Sequence, residues 1–182
     1  MPSKSLSKIS KHVVKKKGAK ATALHENSRD SQRLQRAAAR DDKLNRLANA
    51  RSKQNQPFLQ RVGFFRDAAQ ERIADEPFTL DEISSLINDF IHRADEELAE
   101  LKAARRAGRP PTTREQQLKE QQAQEEKEFV SGYWVPDVTD VKTLTYLKNW
   151  NEEWISCNNM DFIRISKTGH KQDSTWPPKG LS

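Results

Sequence analysis

The sequence predicts a mainly α fold: a helical hairpin or small bundle with a basic N-terminal arm and helix, and extended, irregular segments toward the C-terminus. Three observations lead to this prediction. The 182 residues include only six glycines, which favour tight turns, and two tyrosines, which favour strands, so a sheet-rich fold is not expected. Apolar residues recur at helical spacing across residues 57–105. Charged residues make up 32% of the chain, which favours long polar helices or solvated arms around a small core.

Positive charge is concentrated near the N-terminus. Residues 1–53 carry fifteen Lys/Arg and four Asp/Glu, a net charge of +11, whereas residues 54–182 carry seventeen and twenty-two, a net charge of −5. The two values sum to the net charge of +6 for the whole chain. Such asymmetry indicates a polyanion-binding arm, and the alternative interpretation is a solubilising tail or an import signal.

Residues 1–27 are predicted to form a basic extended arm that becomes ordered on a partner. The arm contains seven lysines and no acid before Glu26. Its apolar residues are too sparse to build a core that would offset the loss of chain entropy: Leu6, Ile9, Val13 and Val14.

Residues 28–53 are predicted to form one Arg-rich helix, because they contain no proline or glycine and are rich in Ala, Arg, Leu and Gln. Five cations recur at spacings of four, three, four and three residues: Arg29, Arg33, Arg36, Arg40 and Lys43. That spacing places them on one stripe of the helix, where like charges repel one another unless an anion neutralises them. Leu34, Ala37, Leu44 and Ala48 give a weak apolar seam, interrupted by Asp41.

Residues 54–166 are predicted to form a helical core with a C-terminal aromatic segment. A helix over 57–74, opened by Pro57, and another over about 80–105 are expected to form an antiparallel hairpin. Thr79 and Glu82 have the spacing of a capping box. The predicted buried face of the first helix is Phe58, Val62, Phe65, Ala69 and Ile73. That of the second is Ile83, Leu86, Ile87, Phe90, Ala94, Leu98 and Leu101.

A proline-broken loop over residues 105–114 leads into a polar fourth helix that ends near residue 129. Thr113 with Gln116, or Thr112 with Glu115, can cap this helix. Much of it is expected to be exposed, and its carboxylates are interpreted as a solvated face: Glu125, Glu126 and Glu128.

The C-terminal part is expected to be less regular. Residues 133–136 are predicted to be extended, Asp140 to begin a short helix, and residues 162–165 to be β-like. Residues 167–182 are predicted to be a tail. Trp150 and Trp154 are expected in the core, whereas Trp176, in the tail, is a candidate for a partner contact.

Residues that could carry catalysis are scattered. The four histidines, at positions 12, 25, 92 and 170, lack a ligand spacing, and Cys157 has no histidine near it in the sequence. No glycine-rich phosphate loop is present, and no apolar run approaches the length of a membrane span. We therefore expect a protein that is not an enzyme, with no cofactor, no metal, no small-molecule substrate and no membrane partner.

The remaining chemistry is that of a binding surface, because Lys and Arg neutralise phosphates and release condensed counterions. An extended arm, a basic helix and an Arg-rich loop can wrap an irregular RNA surface, whereas DNA readers present a compact recognition element. The predicted RNA-binding residues are Lys8, Lys11, Lys15, Lys16, Lys17, Arg29, Arg33, Arg36 and Arg40, with Arg105, Arg106, Arg109 and Arg114 as a second cluster.

The order and spacing of several segments resemble the translation machinery-associated protein 16 family of eukaryotes. The segments are the lysine-rich head, the arginine helix, residues 78–82, 106–109, 113–115, 128–137, 147–151 and 162–165, so the resemblance covers about residues 5–166. It implies a non-catalytic factor of the nucleus and nucleolus. Such a factor binds ribosomal RNA, ribosomal proteins and other assembly factors on precursors of the large (60S) ribosomal subunit. A protein–protein adaptor with a basic nuclear-import head, or a DNA- or chromatin-associated protein, remains the alternative.

Overall fold

The computed structural model describes residues 5–18, 24–72, 76–106 and 108–178. Within these ranges α-helices dominate and a small antiparallel sheet lies near the C-terminus, so the predicted mainly α class is confirmed. The helices are α1 (Leu6–Lys17), α2 (Arg29–Glu71), α3 (Leu80–Ile91), α4 (Asp95–Ala104), α5 (Thr113–Ser131) and α6 (Val141–Lys148), and the strands are β1 (Tyr133–Pro136), β2 (Phe162–Ile165) and β3 (Lys171–Ser174). The chain divides into two compact units, Met1–Gln56 and Pro57–Ser182.

In the first unit, residues 6–17 form α1, so the prediction of an extended arm is wrong for this segment. Ile9 and Val13, one helical turn apart, are buried against Ala37 of α2. This contact buries apolar surface that the free segment could not bury, and it offsets the cost of ordering the chain. Lys15, Lys16 and Lys17 lie in the last turn of α1, where positive charges interact favourably with the helix dipole and stabilise the helix.

The helices predicted separately over 28–53 and 57–74 are one helix, α2, which runs through Pro57. Proline lacks a backbone N–H, so it removes one intrahelical hydrogen bond, the one to the carbonyl of Lys53. The neighbouring residues are good helix formers, and the helix continues past this single missing bond. The described helix ends at Glu71, and Ile73 of the predicted face lies outside the described residues.

In the second unit, the end of α2 and α3 are antiparallel, as predicted. The ring centroids of Phe64 and Phe90 are 5.2 Å apart, which joins the middle of α2 residues 57–71 to the end of α3. Arg72 meets Glu82, at the start of α3, with an N–O distance of 3.0 Å. Val62, Phe65 and Ala69 are buried as predicted.

The long helix predicted over 80–105 is two helices, α3 and α4, separated by a turn at residues 92–94. Its start is as predicted, because Thr79 and Glu82 form a capping box. The prediction that this helix is continuous is wrong. At the break, the guanidinium of Arg93 donates a hydrogen bond to the Phe90 carbonyl. In an unbroken helix that carbonyl would accept from the N–H of Ala94. Ile83, Ile87, Phe90 and Leu98 are buried, whereas Leu86, Ala94 and Leu101 are half-buried.

Helix α5 is capped by Thr112, whose hydroxyl accepts a hydrogen bond from the N–H of Glu115. The interpretation of its carboxylates as a solvated face is wrong for two of the three glutamates. Glu125 is buried, and Glu128 is half-buried and paired with Arg61. Glu126 is exposed as expected. Arg61 of α2 pairs with Glu128, and Arg93 of the α3–α4 turn pairs with Glu125. The sequence pattern of a single helix cannot reveal such tertiary ion pairs.

The three strands form an antiparallel sheet in the order β1-β2-β3. In the first pairing, Tyr133 lies opposite Ile165 and Pro136 opposite Phe162. The prediction that residues 167–182 are a tail is wrong for residues 171–174, which form β3 and pair with β2. All four residues of this edge strand are polar, so the sequence shows no apolar strand pattern, and its pairing is a property of the tertiary structure.

An aromatic stack covers the sheet. Trp134 and Phe162 are parallel, with centroids 4.4 Å apart, and Phe58 of α2 approaches Trp134 edge-on at 5.6 Å. Trp176 lies 4.1 Å from Trp154 and 5.2 Å from Phe162 by ring centroids. Asp140 caps α6 as predicted by accepting from the N–H of Thr143. Trp150, beyond the end of α6, is buried as expected, and Trp154 is half-buried.

Candidate nucleic-acid interface

Helix α1 and the first four turns of α2 form an antiparallel pair, which we call the basic hairpin. The backbone N–H of Leu6, at the start of α1, donates to Asp41 at a distance of 2.8 Å. At the other end of α1, the ammonium nitrogens of Lys16 and Lys17 lie 3.7 and 3.5 Å from Asp30. These interactions at the two ends fix both the direction and the register of the pair.

The basic hairpin has a small apolar seam and a large positive charge. Its seam consists of Ile9, Val13 and Ala37, with Leu6, Leu24 and Leu34 packed around them. Residues 6–17 and 29–43 contain ten Lys/Arg and three Asp, a net charge of +7. The repulsion between these cations opposes the stabilisation that the small buried seam supplies.

The five predicted lysines of α1 divide into two groups. Lys8, Lys11 and Lys15 are exposed and lie on the side of the helix away from Ile9 and Val13. The other two, Lys16 and Lys17, point toward Asp30 in the paired helix, although Lys16 retains 60% exposure of its side chain. The three outward lysines are therefore the ones most open to a ligand.

The predicted arginine stripe is present on α2. Arg29, Arg33 and Arg36 are exposed, and the Nε of Arg36 donates to the Gln32 carbonyl at 3.3 Å. Arg40 is half-buried, and its Nε lies 3.8 Å from Asp41. Helical spacing places all four guanidinium groups along one flank of the seam, as the sequence predicted.

The structure brings two of the four arginines of the second predicted cluster into ion pairs within the unit. Arg114 holds Glu97 with two hydrogen bonds of 2.7 and 2.9 Å, and Arg105 lies 3.7 Å from Glu115. The hydrogen bond from Arg114 lowers the pKa of Glu97, which keeps this pair charged. Arg106 and Arg109 are exposed. The positive field of this loop is therefore weaker than the four arginines suggest, and its part in RNA binding stays a prediction.

Trp176 is half-buried and stacked on the aromatic residues of the sheet. Its predicted role as a partner contact stays a prediction, but the structure gives the ring a packing role. The sequence prediction missed this because it assigned residues 167–182, which include Trp176, to a tail.

Sequence reasoning also missed a polar cleft in the second unit. Its volume is about 390 Å³, and its lining includes two ion pairs, Arg93 with Glu125 and Arg114 with Glu97. Since each guanidinium faces a carboxylate, the cleft carries little net charge from these groups. The glutamates belong to the polar pattern of helices α4 and α5, and only their tertiary partners reveal the cleft.

Cys157 is buried, and its thiol donates to the Glu153 carbonyl at a sulfur–oxygen distance of 3.7 Å. Burial raises the pKa of the thiol to about 11, so little of it is the reactive thiolate near neutral pH. Over the described ranges, no group of three or more His, Cys, Asp or Glu side chains is arranged to hold a metal ion. Within the same ranges, no helix combines the length and apolar character needed to cross a membrane.

The fold and the basic hairpin define a small, mainly helical protein with a strongly cationic N-terminal unit. Residues 20–167 match the family model described as translation machinery-associated protein 16. A protein of that name from Saccharomyces cerevisiae is 35% identical over 170 residues, which cover 92% of this chain and 94% of the relative. The namesake from Xenopus tropicalis is 26% identical over 149 residues, covering 79% and 74%. A homolog from Dictyostelium discoideum is 30% identical over 134 residues, covering 72% and 74%. The chain belongs to the translation machinery-associated protein 16 family, as the resemblance predicted.

Proposed function

We propose that this protein is an assembly factor for the large ribosomal subunit. It acts in the nucleus and nucleolus, without catalysis, and it binds ribosomal RNA and ribosomal proteins on precursors of the 60S particle. The names of its relatives record an association with the translation machinery. The proposal extends that association to a stage of assembly and to a ligand class.

The observation that carries the proposal is the basic hairpin. It holds ten Lys/Arg against three Asp, and it presents Lys8, Lys11, Lys15 and the stripe that begins at Arg29 on exposed helix faces. A phosphate polymer lying on these faces removes the repulsion between the cations and releases counterions from the nucleic acid. The entropy of counterion release then contributes a large part of the binding free energy.

RNA fits this surface better than duplex DNA. The hairpin offers guanidinium groups on one helix and ammonium groups on the other, which suits an irregular backbone and unpaired bases. A DNA reader would present a recognition helix with side chains of several hydrogen-bonding types, whereas this stripe consists of four arginines and one lysine.

Cys157 and the buried or half-buried glutamates of α5 have structural partners, which supports a binding protein rather than an enzyme. The Cys157 thiol is buried with a raised pKa, so it is a poor nucleophile near neutral pH. Glu115, Glu125 and Glu128 are held in ion pairs with cations of the same unit.

The test is charge reversal of the stripe, with Arg29, Arg33, Arg36 and Arg40 each changed to Glu in the full chain. On density gradients the wild-type protein is expected to sediment with 60S precursors, and the variant is expected at the top of the gradient. Circular dichroism checks that the variant remains folded. Continued co-migration of a folded variant with the precursors would refute the role of the stripe.

A matched control makes the same change in charge elsewhere. Four exposed lysines of the second unit are changed to Glu: Lys102, Lys127, Lys142 and Lys167. This control is expected to keep its place on the precursors, because its cations lie outside the basic hairpin. If both variants were released from the precursors to the same extent, binding would depend on the net charge of the protein rather than on the basic hairpin.

Ultraviolet crosslinking with mapping of the bound RNA tests the ligand class directly. Crosslinks from the first unit are expected in ribosomal RNA of the large subunit. Crosslinks to genomic DNA would favour the chromatin alternative, and partners that persist after ribonuclease treatment without any RNA crosslink would favour the adaptor. Imaging of the tagged chain checks the compartment, and exclusion from the nucleus would contradict the proposal.

A further inference from the structure

The basic hairpin has two unlike faces, one on each side of its apolar seam. Leu6, at the start of α1, bonds Asp41, and Lys17, at the end of α1, meets Asp30. Lys17 is eleven positions after Leu6, and Asp30 is eleven positions before Asp41, so residues of the two helices pair one to one along the seam. Successive side chains of an α-helix are rotated by about 100°, so helical spacing assigns each exposed side chain to one face of the hairpin.

The two sides of α1 differ in charge. Viewed along the helix from its N-terminus, Lys8, His12 and Lys16 lie counterclockwise from the seam residues Ile9 and Val13. All three are exposed. The clockwise side is mostly neutral, and its residues are Ser7, Ser10, Val14 and Lys17.

The two sides of α2 differ in the same way. Counterclockwise from the seam residues Leu34 and Ala37, again viewed from the N-terminus, lie the four arginines of the stripe: Arg29, Arg33, Arg36 and Arg40. The clockwise residues are Ser31, Gln35, Ala38 and Asp42.

The counterclockwise sides of the two helices belong to one face of the hairpin, because a two-fold axis through the seam exchanges the helices of an antiparallel pair. We call this the cationic face, and its residues are the four arginines of the stripe with Lys8, His12 and Lys16. The three aspartates of the hairpin lie elsewhere. Asp30 and Asp41 are in the seam, and Asp42 is on the other face. No carboxylate of these two helix segments therefore opposes an anion on the cationic face.

A groove runs between the two helices on the cationic face. Packed helices have axes about 8–10 Å apart, and the stretch from Arg29 to Arg40 is about 16 Å long. One sugar–phosphate strand in this groove meets cations from α1 on one side and from α2 on the other. Its unpaired bases can stack on guanidinium planes or on imidazole. A duplex is thicker than the groove, and its paired, stacked bases cannot make these stacking contacts.

We propose that the cationic face binds one unpaired RNA strand, which runs along the groove between α1 and α2, and that His12 contacts this strand. The inference rests on the proposed function, and it adds the face, the form of the RNA and a contact residue outside the predicted set. His12 is level with Gln35, so it lies across the groove from Arg33 and Arg36. These arginines bind phosphates of the strand, and the imidazole N–H of His12 donates a hydrogen bond to a phosphate beside them.

A single carboxylate added to either face of α1 tests this placement. His12→Glu puts it on the cationic face and Ser10→Glu puts it on the other face, at positions that are both exposed and formally neutral at pH 7. Each purified full chain is titrated with a short unpaired oligonucleotide of ribosomal RNA. His12→Glu is expected to weaken binding about ten-fold. Ser10→Glu should weaken it less than about two-fold, since salt screens a charge on the far side of the helix. Equal weakening by the two variants, with circular dichroism showing both folded, would overturn the proposal.

Photocrosslinking gives a second measurement that does not depend on an added charge. A photoreactive amino acid replaces His12 in one full chain and Ser10 in another, and each is irradiated with the same oligonucleotide. The expected result is a crosslink to RNA from position 12 with a yield several-fold above that from position 10. Equal yields, or a higher yield from position 10, would overturn the assignment of His12.

The form of the RNA is tested with the same oligonucleotide annealed to its complement. The wild-type chain is expected to bind the unpaired strand several-fold more tightly than the duplex, and equal or tighter binding of the duplex would overturn the proposal. These outcomes separate the inference from the proposed function. If the wild type bound neither form of RNA, the proposed function would fall together with this inference. If it bound RNA but His12→Glu and Ser10→Glu behaved alike, this inference alone would fall.

Discussion

Arg61 and Glu128 form a bidentate ion pair across the second unit, with both N–O distances at 2.8 Å. Their side chains are 7% and 17% exposed. Arg61 also donates to the Trp134 carbonyl, and Glu128 accepts from the Trp134 N–H. The pair therefore joins α2, α5 and β1 at one point. The guanidinium of Arg61 also lies over the Tyr133 ring, 3.8 Å from its centroid.

Arg61→Met is expected to lower the free energy of unfolding by about 3 kcal/mol, because it leaves the Glu128 carboxylate without its partner away from bulk water. Urea denaturation followed by fluorescence measures the change. The control is Arg114→Met, which removes an exposed pair with Glu97 and should lower the free energy of unfolding much less than Arg61→Met does. Equal costs for the two variants would contradict the structural role of the pair with Glu128.

Low pH is expected to reduce the free energy of unfolding by protonating Glu115, whose side chain is 0% exposed. The hydrogen bond from Lys119, at 2.5 Å, lowers the pKa of Glu115 below the usual 4.5, against the effect of burial, and Arg105 adds to the lowering. A lowered pKa in the folded state means that the carboxylate contributes stability above the unfolded pKa. That contribution disappears as the pH falls through the folded pKa.

Glu115→Gln should therefore be less stable than the wild type at pH 7, and the difference should shrink as the pH falls below about 4.5. Urea midpoints at a series of pH values provide the measurement. Leu118→Ala is the control, since it weakens the same helix but leaves Glu115 able to titrate, and its difference from the wild type should persist in acid. A Glu115→Gln difference that is constant with pH would refute the role of this carboxylate.

The seam of the basic hairpin is small enough to be broken by two truncations. Ile9→Ala combined with Val13→Ala removes side chains that are 6% and 2% exposed, at a cost of about 2 kcal/mol or more for the pair. We expect α1 to unfold while the second unit stays folded, which hydrogen exchange across residues 6–17 would report. Val14→Ala is the control, because Val14 is 54% exposed. Continued protection of α1 in the double variant would show that the seam does not hold it.

Trp176→Ala is expected to lower the free energy of unfolding by about 1 to 3 kcal/mol, because it removes the stacking of this ring on Trp134, Trp154 and Phe162. Denaturation of the purified chain, with no partner present, gives the measurement. Tyr146→Ala is a suitable comparison, since Tyr146 is 57% exposed and should cost little. An unchanged stability for Trp176→Ala would leave only the partner-contact interpretation of this residue.

The salt dependence of RNA binding should report the outward lysines of α1. Removing a lysine that binds a phosphate is expected to reduce the slope of log K against log salt by about 0.7 to 0.9. Changing Lys8, Lys11 and Lys15 to Ala should thus reduce the slope by about 2 when binding is titrated with potassium chloride. If the affinity of the wild-type protein for RNA did not fall with added potassium chloride, the electrostatic basis of the proposed function would be refuted.

Local patterns in the sequence determined most of the helical segments, the caps and the charge asymmetry of this protein, but not the extents of α1, α2, α3 and α4. The capping box at Thr79, the cap of α6 at Asp140 and the arginine stripe depend on residues within one or a few turns, so they can be predicted from spacing. The family could also be predicted, because the order of short segments is itself a sequence property.

The tertiary structure decided where charges and weak apolar segments lie. Burial against Ala37 makes α1 a helix although its own apolar residues are few, and the ion pair with Arg61 takes Glu128 out of a face that looked solvated. Pairing with β2 makes residues 171–174 a strand, and stacking on Phe162 packs Trp176 against the core. In each case the stabilising partner is distant in the chain, and the free energy of such an interaction depends on a proximity that no local pattern encodes.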